Sequence, residues 1–166
     1  MRRSFALFGL LGLASAPAHA GFVTRDLTTV EPALTGALGD GFAGRATPDR
    51  IIITCPDCTG EPLVSIEIGR QTDGTEARVR SGATRIEDLE RLCRARSPEC
   101  RIRPLEVAPA VGWVSSWTIG SSAASTAMLL RDGDLLTIRS VANDAAAARR
   151  TLEALLPAIQ ARIVGR

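Results

Sequence analysis

Between positions 126 and 163 the alternation of apolar and polar residues is plain enough to assign elements. Thr126 to Arg131 and Asp134 to Val141 alternate with the two-residue period of strands. The dipeptide between them, Asp132-Gly133, readily takes positive φ and predicts a two-residue type I′ hairpin. In that register Leu129 faces Leu136 and Ala127 faces Ile138, which makes one continuous apolar face. Asn143 then offers a helix cap. Ala145, Ala148, Leu152, Leu155, Ile159 and Ile163 follow at a 3-4-3-4-4 spacing, a stripe that must bury itself on the sheet. Pro157 is expected to kink this helix, because its ring excludes the hydrogen bond to Glu153.

Upstream the pattern is more broken. Arg50 to Thr54 reads as a β-branched strand, and Val64, Ile66 and Ile68 alternate with polar residues as a strand buried on one face. Asp73-Gly74 is a second hairpin signal, so Glu76 to Arg80 is expected to return as an antiparallel strand. Thr84 and Glu87 have the spacing of a capping box, and Ile86, Leu89 and Cys93 follow at helical spacing, with Cys93 facing the core. Ser97-Pro98 ends that helix. Arg101 to Val107 reads as a strand whose Pro104 points to a sheet edge, and Gly112 to Ile119 as a strand carrying Trp113 and Trp117. Gly120 to Ser125 reads as a long connection of small residues. In the first part, Val30 to Leu38 predicts a short helix, and the glycines from Gly39 to Gly44 with Pro48 predict loop.

The resulting order is β-β-β-α-β-β-β-β-α. It predicts an α+β fold, a mostly antiparallel sheet of six or seven strands packed by two helices. This order of elements resembles the PsbP/Mog1 type of sandwich. Three stretches are expected: residues 1–20 as a leader, 21–49 as a partly looped N-terminal segment, and 50–166 as a single α+β domain.

The leader changes the chemistry of everything after it. Met1 to Ala20 has Arg2 and Arg3, an apolar run from Phe5 to Ala14, and Ala18-His19-Ala20 as an A-x-A cleavage site, the features of a cleaved export signal. Cleavage leaves 146 of the 166 residues, in the periplasm or outside the cell. His19, the single histidine, goes with the leader, and the chain contains no Lys and no Tyr. Of the 20 basic residues, all arginines, two leave with the leader, so 18 face 18 acidic residues. A net charge near zero gives no long-range pull toward nucleic acid or anionic lipid. Arg91, Arg94, Arg96, Arg101 and Arg103 cluster locally and read as a solvated helix end rather than an anion site. No later apolar run approaches the ~20 residues of a membrane span.

That inventory removes several mechanisms. Without His or Lys, the mature chain has no base for a Ser-His-Asp triad, a Cys-His dyad or a Ser-Lys pair, and no lysine for a Schiff base. The close carboxylates, such as Asp132 with Asp134 and Glu87 with Glu90, fall on a turn or an exposed helix face. No catalytic residue, cofactor or resident metal is therefore expected.

Four cysteines remain, Cys55, Cys58, Cys93 and Cys100, in a compartment where disulfides persist. Cys55-Pro56-Asp57-Cys58 has the spacing of a redox pair. A thioredoxin-like site, however, needs a helix after it, and Thr59, Gly60 and Pro62 lead into a strand. The spacing C-x2-C-x34-C-x6-C does not match a zinc ribbon, while Cu(I), which needs fewer thiolates, stays open. Structural disulfides are the plainer account. Local pairing closes loops worth about 2 to 2.5 kcal/mol each, and crossed pairing loops worth about 4 kcal/mol each. The spacing does not choose between them. If both pairs are local, Cys55–Cys58 adds little stability, which favours a redox role for it.

Trp113 and Trp117, four apart on one strand, share a face. They form either core or an aromatic surface for an apolar ligand or partner. Two functions follow as expectations. The first is an exported, non-catalytic binding or accessory domain, stabilised by disulfides, whose Trp113 and Trp117 contact another exported protein or a small apolar ligand. The alternative is a thiol-redox or Cu(I)-handling protein working through Cys55 and Cys58.

Overall fold

A computed structural model describes residues 21–166; the leader read at Met1 to Ala20 lies outside the described residues. Seven strands form one antiparallel sheet: β1 (Ala43–Thr47), β2 (Arg50–Thr54), β3 (Leu63–Arg70), β4 (Arg101–Leu105), β5 (Val111–Ile119), β6 (Ser122–Arg131) and β7 (Asp134–Ala142). Their spatial order is β1-β2-β3-β7-β6-β5-β4. Four helices accompany them: α1 (Glu31–Leu38), α2 (Thr75–Arg80), α3 (Ile86–Arg94) and α4 (Ala145–Ile159). The α+β class and the antiparallel sheet are as the sequence predicts. No helix among the described residues is long and apolar enough to cross a membrane.

The register explains the core. Ile51, Ile66, Ile138, Ala127 and Val114 stand in one row across five strands, and each is buried. One strand-step along, Leu136 pairs with Leu129 and extends the same face. The predicted β6–β7 register is the observed one, with Asp132 at φ 51° and Gly133 at φ 81°. On this face lie α1 and α4, and Leu152, Leu155, Ile159 and Ile163 are wholly buried there. Residues 21–49 enter the same core through Phe22, Leu27, Val30 and Leu34. Pro157 sits inside α4 without ending it, and the chain continues into a π-helical turn from Gln160 to Val164. Ala145, assigned to the buried stripe, is exposed.

Several sequence expectations are corrected. Glu76 to Arg80 is not a strand but α2, with Gly74 (φ 81°) as its N-cap. A left-handed glycine serves a hairpin turn and a helix boundary equally well. The non-local contacts of α2 decide which: Glu76 accepts the Gly133 N–H at 3.0 Å. A strand the sequence does not predict, β1, occupies Ala43 to Thr47 within the expected loop; none of its residues is fully buried, so it leaves little apolar signature. Gly120 to Ser125 is not a long connection. β6 already begins at Ser122, and Gly120 and Ser121 alone turn the chain. Two caps shift by one residue: Arg85 caps α3, with Asp88 accepting its N–H at 3.2 Å, and Asp144 caps α4 by accepting from Ala147 at 2.8 Å. Pro104 does lie on an edge strand, β4.

Candidate functional site

The sheet's second face is built differently. Side chains alternate along a strand, so Trp113 and Trp117 of β5 point away from the α4-covered core. Pairing sets Met128 of β6 beside Trp113, and Ile102 of β4 beside Ser115. Over these residues lies α3, a nine-residue helix with no fully buried side chain. Its Leu89 and Cys93 face the sheet only half-buried, so Cys93 does not enter the core as expected.

A disulfide holds α3 in place. Cys93, near the end of the helix, is bonded to Cys100, wholly buried at the start of β4, with the Cα atoms 5.8 Å apart. Glu90 adds a second tie by accepting the Ile102 N–H at 2.9 Å. Between the helix and the sheet a groove of about 730 Å³ remains, lined mainly by Leu89, Leu92, Ile102, Trp113, Trp117 and Met128. Trp113 forms its floor, 6% exposed, while Leu92 at the rim is 66% exposed. The two tryptophans therefore divide the roles weighed for them: Trp113 is buried under the groove, and Trp117 is partly exposed along it.

Part of the charge on α3 is paired within the helix. Asp88 bonds Arg91 at 3.0 Å and lies 3.6 Å from Arg85. The Arg85 N–H holds the Asp88 carboxyl below its usual range. Among the described residues neither Arg94 nor Arg96 has a carboxylate partner, and Arg96 lines the groove.

The other cysteine pair is also local. Cys55 is bonded to Cys58 in the turn between β2 and β3, with Cα atoms 5.3 Å apart. The turn is closed by hydrogen bonds from Cys58 N–H to the Cys55 carbonyl (3.3 Å) and from Glu61 N–H to the Cys58 carbonyl (2.9 Å). Strand β3 follows, not a helix, and Cys55 is 1% exposed. All four sulfurs are thus engaged, and among the described residues no three His, Cys, Asp or Glu side chains gather as a metal site.

No family model and no curated protein matches the sequence. Among solved structures, the chain is similar to CyanoP, the cyanobacterial PsbP of Synechocystis sp. PCC 6803. The match spans 93% of this chain and 98% of that one at 12% identity, with a TM-score of 0.44. The sequence does not single out Leu92, and it reads Arg96 as part of a solvated helix end; the structure sets both at the groove. Leu92 lies outside the apolar stripe of α3, and the Cys93–Cys100 bridge together with the Glu90–Ile102 bond holds it at the groove's rim.

Proposed function

We propose that this protein is an exported, non-catalytic binding domain whose groove under α3 takes an apolar segment, bearing an acidic residue, of another exported protein. The carrying observation is Leu92, a large apolar side chain 66% exposed at the rim of an aromatic-floored groove. An apolar groove of this size suits a few large side chains, and buried aromatics are typical anchors of such contacts. The unpaired Arg96 beside it favours an acidic flank on the occupant. Export is supported by the leader pattern at Met1 to Ala20 and by two disulfides, which persist in oxidising compartments.

The test is a photo-crosslinking residue at position 92 in the producing cell, with position 162 on exposed Arg162 as the control. One discrete product at position 92, absent at 162 and lost in Arg96→Glu, supports the reading. No product, with a small apolar molecule retained in the native mass of the protein, replaces the protein partner by a ligand. Neither result at all sinks the groove as a binding site.

The local Cys55–Cys58 bridge favours a second reading, thiol exchange or Cu(I) handling, since so short a loop contributes little more than about 2 kcal/mol. Burial of Cys55 and the absence of a following helix count against it. A bridge that resists a glutathione buffer would remove this reading.

A further inference from the structure

A buried carboxylate stands where the leader is expected to be cut. Asp134 opens β7 and is 2% exposed. Its Oδ2 accepts the Phe22 N–H at 3.0 Å and the Arg25 Nε at 3.0 Å, with Arg25 Nη2 at 2.8 Å; its Oδ1 accepts, among the described residues, Arg70 Nη1 at 3.1 Å. Gly21 is itself buried against this group. A Cβ at Gly21 would fall 2.2 Å from Asp134 Oδ2 and 2.7 Å from Arg25 Nη2, so a side chain there would have to push the buried carboxylate aside. Ordinary bond lengths then put the Gly21 nitrogen within about 5 Å of Oδ2. The following residues are pinned too: Val23 donates to the Ile163 carbonyl at 2.9 Å, and Phe22 enters the core.

We infer that Asp134 is the receptor for the α-ammonium of Gly21, created when the leader is removed. This rests on the reading of Met1 to Ala20 as a cleaved signal. Hydrolysis of the Ala20–Gly21 peptide bond uses one water: its hydroxyl joins the Ala20 carbonyl and its remaining proton completes the Gly21 amine, and near neutral pH the new acid loses a proton while the amine gains one to become an ammonium. A neutral amide with one N–H becomes a cation with three. A carboxylate has about four acceptor positions, and the Phe22 N–H, two Arg25 nitrogens and Arg70 occupy them in this arrangement, so the ammonium takes the place of a guanidinium. Arg25 and Arg70, 54% and 59% exposed, are free to turn toward solvent, whereas Gly21 is fixed. The precursor lacks this ion pair, so the mature chain has an anchor for its N-terminal segment that the precursor does not.

The absence of lysine makes the test clean, because the α-amine is the one primary amine of the mature chain. The full chain is exported from a host, and intact mass gives its N-terminus. Reductive methylation with formaldehyde is then timed on the native protein and in urea. Asp134 within about 6 Å favours the unreactive ammonium, and Arg25 ceases to oppose it once turned to solvent, so native methylation is expected to be about tenfold slower or more. Asp134→Asn should remove that protection. Should Asp134→Asn not fold, a chain cut one residue early, retaining Ala20, should fold and methylate at the urea rate. Equal native and urea rates for a Gly21 terminus overturn the ammonium receptor and leave the export reading intact. A terminus elsewhere, or an uncut chain, overturns the cleavage reading and this inference with it.

Discussion

On one face of the sheet α4 lies across β6 and β7, with Leu152, Leu155 and Ile159 wholly buried. On the other, α3 lies beside β4 without one fully buried residue. The first helix is held by apolar area removed from water, in a long stripe that reads directly from the sequence. The second has too little buried surface to hold itself and is fastened by Cys93–Cys100 and the Glu90 contact. A helix fastened covalently need not seal the sheet beneath it. The groove over Trp113 is a consequence of that difference, and it lies on the face where packing is least complete.

The sharpest break of this comparison comes from the buried face. Leu152→Ala removes a wholly buried side chain between α4 and the sheet and should cost about 3 kcal/mol in urea unfolding. A loss under about 1 kcal/mol would mean that α4 is not held by burial.

Next is the fastened helix. Cys93→Ser with Cys100→Ser opens an eight-residue loop and should cost about 2.5 kcal/mol, with α3 amides exchanging faster while α4 amides keep their protection. Cys55→Ser with Cys58→Ser should cost about 2 kcal/mol and leave α3 exchange untouched. Equal effects of the two double variants on α3 would show that the helix is held by packing after all.

What the sequence discloses follows the same division. The β6–β7 register and most of the α4 stripe are legible because each rests on a local turn or a single period. Helix α2 is not, because its six residues include none buried and its place depends on Glu76 reaching Gly133, far along the chain. Strand β1 is hidden by its lack of buried side chains. Ser122 to Ser125 imitate a loop because that end of β6 needs small residues, near the buried Ala147 and Ala148 that open α4. The tryptophans were visible as candidates, yet the groove was not. It forms between α3 and strands β4, β5 and β6, and α3 is held there by a bridge that cysteine spacing leaves undetermined.

The smallest expected effect lies at α2, the other helix without a buried residue. Burial pushes the Glu76 carboxyl up, but the Gly133 N–H and Arg80, 2.8 Å away, outweigh it and hold the carboxyl below its ordinary value. A carboxyl lowered on folding contributes stability above its unfolded value, about 4.3, and loses it as pH falls through the folded value. Glu76→Gln should therefore cost about 1 kcal/mol at neutral pH. The gap to the parent protein should narrow below about pH 4 as the parent's carboxyl protonates. Urea unfolding at pH 7 and pH 3 checks this. A gap that stays constant would mean that the Glu76 charge contributes nothing and that a neutral acceptor serves the Gly133 N–H equally well.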